Sequence, residues 1–182
     1  KKLKKFINNK LIEFPNKNFR LYKDSFKNSI IEETEFEQKI SNLINKVLKE
    51  NNITNFNKPN YKVIRIVSGK KQKKQANLYH FDAHMITILI PIMIPNNKNN
   101  LNGDLVLFPN LRKLHKNIYL NILQKIFFQN FIIRNLLSTK LFKKLFRYKI
   151  LKIKPGNLYM FFGFNSLHGN LEIEETSTRA TL

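Results

Sequence analysis

The chain has 182 residues, 33 Lys and Arg against 12 Asp and Glu for a net charge of +21, 42% apolar residues and no cysteine. That length suits one domain able to bury about two-thirds of its unfolded surface, and 16 Phe argue against a wholly disordered chain. The missing cysteines exclude disulfides and thiolate metal sites.

Lys outnumbers Arg by 27 to 6, whereas proteins that read nucleic-acid bases favour the Arg fork. The charge therefore predicts mainly a solvated basic surface, with nucleic-acid or membrane association open but not favoured. One stretch departs from this average: residues 105–171 hold twelve Lys or Arg and no acidic residue. The longest apolar run, 85–95, is short and broken by Pro91, so no membrane-spanning helix is expected. The first ten residues lack the apolar core of a signal peptide, which makes the cytoplasm the default location. The first residue is not Met and the last falls in strand-like sequence, which predicts a partial chain.

Taken in order, residues 1–33 give a basic start and a short strand at 19–22. Thr34 to Glu37 matches a capping box, and Phe36, Ile40, Leu43, Ile44, Val47 and Leu48 recur at helical spacing behind it. This predicts an amphipathic helix ending near Asn51 and packed on one face of a sheet. Residues 61–68 are rich in β-branched side chains, 69–74 read as a polar turn, and 76–82 as the returning strand. A further apolar strand is expected at 85–94, followed by a loop at 96–100. Asn102-Gly103 is a hairpin signal before a strand at 104–108, which makes Asp104 a turn residue.

Residues 111–149 read as a helical insert. Leu111, Leu114, Ile118 and Ile122 form one stripe, and Ser138 is placed to cap a second helix. There Leu141, Phe142, Leu145 and Phe146 are expected to face inward, with Lys140, Lys143, Lys144 and Arg147 outward. The insert would then be a lid with buried apolar faces, and His115 a surface residue. Strands are expected again at 150–153 and 157–162, separated by the Pro155-Gly156 turn; His168 falls in a loop, and strands follow at 170–173 and 178–182. Together these predict a mainly β, α+β fold: a jelly-roll (double-stranded β-helix) barrel. Residues 1–60 would support it, 61–110 and 150–182 supply its strands, and 111–149 form the insert.

Chemistry concentrates at Tyr79-His80-Phe81-Asp82-Ala83-His84. On a strand, His80 and Asp82 project from one face and can offer an imidazole and a carboxylate to one divalent metal. A third ligand is needed. His168 is the best candidate, and two His with one carboxylate is the ligand set of non-haem Fe(II) oxygenases. The plain alternative for His80 is a half-buried strand histidine. His84, four residues on, is a second candidate for the third position, or else a residue at the rim.

The order His80-x-Asp82, Gly103-Asp104-Leu105, Gly156-x-Leu158 with Phe161-Phe162, then His168, then Arg179 eleven positions later resembles the Fe(II)/2-oxoglutarate-dependent dioxygenases, in their phytanoyl-CoA hydroxylase and prolyl hydroxylase-like branches. The resemblance covers about 61–182. It implies His80, Asp82 and His168 as iron ligands, and Arg179 as the residue gripping the distal carboxylate of 2-oxoglutarate. Thr181, on the same strand face, would add a hydroxyl. It further implies O₂ as a reactant, release of succinate and CO₂, and hydroxylation of a substrate the sequence does not identify, anionic ones included. Three alternatives stay open: a surface ion pair of Arg179 with Glu172, Glu174 or Glu175; a non-catalytic basic barrel that binds polyanions or an anionic membrane; and a cupin-type metalloenzyme that uses no 2-oxo acid.

Overall fold

A computed structural model describes residues 2–14, 18–22, 34–53, 61–68, 76–97, 101–113, 115 and 117–182. The fold is mixed α+β with antiparallel sheets. Among the described residues the helices are α1 (Lys2–Glu13), α2 (Thr34–Glu50), α3 (Ile118–Gln129), α4 (Phe131–Ser138) and α5 (Lys140–Leu145). The strands are β1 (Phe19–Tyr22), β2 (Val63–Ser68), β3 (Thr87–Leu89), β4 (Pro91–Met93), β5 (Leu105–Phe108), β6 (Lys149–Leu151), β7 (Tyr159–Phe161), β8 (Leu167–Asn170) and β9 (Thr178–Thr181).

The first sheet runs β1-β2-β9-β4. Beyond Ile90, whose N–H and C=O both pair with Leu182, the same segment continues as β3, which pairs with β7. Pro91 begins β4, a strand position that tolerates its missing N–H. The second sheet runs β6-β5-β8, and Tyr79-His80 adds to its β8 edge through a bridge between His80 and His168. A closed barrel is not found among the described residues. The two layers nonetheless meet: Phe161 of β7 lies edge-on to His168 of β8, and Arg179 of β9 donates to Asn170 of β8.

Alternation decides which side chains lie between the layers. Ile64, Ile66, Leu21 and Ala180 share one face of the first sheet and bury against Ile7 of α1, with Leu3, Phe6 and Leu11 packed around them. Their neighbours Arg65, Val67, Arg179 and Thr181 therefore point to the opposite face, toward the second sheet. On the second sheet Tyr79, Phe81, Val106, Phe108 and Leu167 form the outer core beneath Leu137 of α4, flanked by Phe128, Ile133 and Phe146. His80, Asp82 and His168 thus project the other way, between the sheets.

Several sequence expectations change here. The helix over the first sheet is α1, not the predicted one; α2 begins and ends as expected, yet its Leu43 is exposed and Leu48 is its buried residue. Segments 61–68 and 76–82 do not form a hairpin, because β2 pairs with β1 and β9 while His80 pairs with β8. The turn placed at 69–74 lies outside the described residues, as do Leu114 and 98–100 of the expected 96–100 loop. Asn102-Gly103 closes no hairpin either, since β4 and β5 belong to different sheets. Asp104 is a buried linker rather than a turn residue: its Oδ1 accepts from the Ile153 N–H and its carbonyl from the Leu171 N–H.

The insert differs most. Ser138 ends α4 instead of capping the next helix, and Asn130 caps α4 by accepting from the Ile132 N–H. Ile118, Ile122, Leu141 and Leu145, expected to face inward, are exposed. His115, expected at the surface, is half-buried, with a ring nitrogen 2.8 Å from the Gln124 amide.

Candidate metal centre

His80 and His168 face each other across an antiparallel bridge, each N–H donating to the other's carbonyl at 2.9 and 3.0 Å. Such cross-strand partners carry their side chains on the same face, and the two imidazoles lie 4.4 Å apart between centroids. His168 sits on β8 rather than in the expected loop. Gly169 permits this, because a Cβ there would come within 2.9 Å of the Tyr79 ring.

Asp82 completes the group. Its Oδ2 is 3.3 Å from His168 Nε2 and its Oδ1 3.6 Å from His80 Nε2. One ligand atom from each residue lies within 4.8 Å of the other two. For bonds of roughly 2.1 Å in an octahedral shell, neighbouring ligand atoms stand roughly 3 Å apart, so the three donors must draw together to hold an ion.

Each donor is oriented by a further contact. His80 Nδ1 lies 2.9 Å from the Leu78 carbonyl, and His168 Nδ1 3.0 Å from the Ser166 carbonyl. A carbonyl only accepts, so each Nδ1 carries the proton and each Nε2 presents its lone pair to the centre. Burial and the neighbouring His168 hold the His80 pKa below its usual value, which favours this neutral form. Burial alone would raise the Asp82 pKa, but the adjoining His168, the hydrogen bond from the Thr87 hydroxyl and the nearby His80 outweigh it and keep the carboxylate ionised well below its usual range. The Thr87 hydroxyl donates to Asp82 Oδ2, and the Asp82 N–H donates to the Gly163 carbonyl at 3.0 Å.

Arg179 is 3% exposed, and its Nη2 donates to Asn170 Oδ1 at 2.7 Å. Asn170 is two residues from His168 on β8, so Arg179 reaches the face that carries His168, about 7 Å along that strand. Burial pulls the Arg179 pKa down to about 9, nearby Arg65 adds to this and Asp104 opposes it. Its Nε has no hydrogen-bond partner among the described residues. A buried cation in this state is suited to an incoming carboxylate, which would satisfy the guanidinium in a charge-assisted pair. The cavity beside it, lined by Arg65, Asn170 and Ile173 among others, measures about 10 Å³. Thr181 is buried on the same face as Arg179, opposite Arg65. The alternative of a surface ion pair between Arg179 and Glu172, Glu174 or Glu175 is not found among the described residues: Arg179 is buried and bonds Asn170.

His84 is not part of the group. It is exposed and stacks on Tyr61 at 5.6 Å with ring planes 9° apart. Sequence reasoning missed Thr87, Gly163, Arg65 and Arg112. Arg112 is buried between the rings of Phe81 and Phe164, at 4.3 and 4.0 Å, and its Nε donates to the Phe164 carbonyl. It clamps the residues adjoining Asp82 and Gly163. The available signal was a lone Arg beside an aromatic-rich chain, too weak to single out. No family model matches the chain, and no curated protein matches it.

Proposed function

We propose that the protein is an Fe(II)- and 2-oxoglutarate-dependent oxygenase that hydroxylates a substrate C–H bond. The observation that carries this reading is the convergence of His80 Nε2, His168 Nε2 and the Asp82 carboxylate, with a buried Arg179 reaching the same face two residues from His168. The strand order supports it. The β2-β9-β4/β3-β7 order faces a second layer of Tyr79-His80, β8, β5 and β6, which is the arrangement a double-stranded β-helix would have.

The donor set fits Fe(II): two neutral imidazoles and one carboxylate on one side leave the other side open. When bound, the iron would supply oxygen activation, with 2-oxoglutarate and O₂ converted to succinate and CO₂ as one oxygen atom enters the substrate. The chain's own part is positional. The Leu78 and Ser166 carbonyls fix the imidazole tautomers, Thr87 and the Gly163 carbonyl hold Asp82, and Phe161 walls one side of His168. Arg179 would anchor the far carboxylate of the co-substrate, with Thr181 beside it on the strand.

The small cavity at Arg179 favours a second reading, a metalloenzyme that uses no 2-oxo acid. About 10 Å³ holds roughly one water, so a dicarboxylate must part Arg179 from Asn170 to enter. One assay separates the readings. Under the first, Fe(II)-loaded protein converts 2-oxoglutarate to succinate in air, and Arg179→Ala lowers that turnover. Fe(II) binding without succinate formation, and indifferent to Arg179, would establish the second.

A further inference from the structure

The insert packs on the second sheet through Phe128, Ile133, Leu137 and Phe146, but its other side is apolar instead of solvated. α3 has no buried residue. Tyr119 is 74% exposed, Phe131 76%, Leu141 74% and Leu145 70%, and Ile126 and Phe127 are each more than half exposed. Single exposed apolar residues are ordinary, whereas an array over three consecutive helices marks an interaction surface. Lys113, Lys144, Arg147 and Lys149 are exposed in the same region, within the stretch 105–171 that has no acidic residue.

We propose that the outward side of α3–α5 docks on an anionic lipid bilayer and lies in its interface. Among the described residues no helix is long and apolar enough to cross a membrane, and the 12 residues of α3 span about 18 Å against a hydrocarbon core of about 30 Å. Charge selects the occupant. A second copy would set one basic face of a chain carrying +21 against another, whereas an anionic bilayer accepts the cations at its headgroups and the apolar side chains beneath them. Shape agrees, because the exposed apolar residues of α3 cover one broad outward face and not a narrow stripe suited to a groove.

The test is flotation of the full chain with phosphatidylcholine vesicles, with and without phosphatidylserine, at low and high salt. Binding should require phosphatidylserine and weaken as salt rises. Phe127→Ser and Phe131→Ser should each cut partitioning about tenfold, as expected for removing one buried aromatic side chain. Lys144→Glu combined with Arg147→Glu should cut it at least about 25-fold, since each basic charge at such a surface is worth roughly fivefold. These positions are exposed at 127, 131, 144 and 147, so the variants should melt like the wild type. Failure to float with phosphatidylserine vesicles, or equal binding to neutral ones, would overturn the proposal. So would a dimer in sedimentation velocity that Phe131→Ser dissociates while vesicles leave it intact.

Discussion

Gly163→Ala should damage the metal centre without touching a ligand. A Cβ on Gly163 would lie 2.7 Å from Asp82 Oδ2 and overlap the Thr87 hydroxyl. The backbone cannot simply retreat, because the Gly163 carbonyl holds the Asp82 N–H at 3.0 Å. The carboxylate has to swing away, giving up the Thr87 hydroxyl and its approach to both Nε2 atoms. Loss of a contact that orients a ligand typically weakens metal affinity by about 10–100-fold, and overpacking of this kind costs about 1–3 kcal/mol of stability. For a chain of this size that is a fall in Tm of roughly 2–12 °C, short of unfolding. Gly156→Ala is the control. It sits at φ 92° with nothing within 4 Å of the added Cβ, so it strains a turn away from the metal. Anaerobic Fe(II) titration of both variants, with Mn(II) as a redox-stable check, reads the difference. Wild-type affinity in Gly163→Ala, or an equal loss in Gly156→Ala, would refute the reasoning.

Asp82→Ala removes the one carboxylate of the group and should abolish Fe(II) binding by the same titration. His84→Ala should leave that affinity unchanged, since its ring stacks on Tyr61 and points no donor at the centre. Arg179→Ala should raise the 2-oxoglutarate requirement for succinate formation about 30-fold or more, from the ~2–5 kcal/mol lost when one partner of a desolvated charge pair is removed. Arg179→Lys should fall between, because the point charge remains and the fork is lost, and Fe(II) affinity without co-substrate should be the same in all three proteins.

The candidate ligands His80 and Asp82 were legible together because strand periodicity is short-range and puts residues i and i+2 on one face whatever β8 does; His168 was singled out as the third, but in a loop rather than on β8. Strand positions at 19–22, 105–108 and 178–181 were legible for the same reason. What the strands pair with was not, because register and partner are set by contacts far apart in the chain. The supposed hairpins at 61–82 and at Asn102-Gly103 failed on this point. α1 was readable in principle, since Leu3, Phe6, Ile7 and Leu11 keep helical spacing, but the surrounding lysines obscured it. The insert misled differently. Helical periodicity identifies an apolar side and says nothing about what covers it, so Leu141 and Leu145 were assigned to a core they do not enter.

Three of the chain's five glycines stand where a functional or supporting side chain presses on backbone. Gly103, at φ 71°, makes room for Arg179, whose Cδ would be 2.7 Å from an added Cβ; Gly163 does so for Asp82, and Gly169 for Tyr79. The site is therefore specified as much by missing side chains as by the donors. The same region binds the insert to the candidate metal centre. Phe81, between His80 and Asp82, meets Phe128 of α3 edge-on at 5.7 Å, accepts from Gln129 Nε2 through its carbonyl, and lies under Arg112. One side of α3 thus holds the segment that carries His80 and Asp82 while the other side faces outward. Phe81 is therefore the contact through which a displacement of α3 would reach His80 and Asp82.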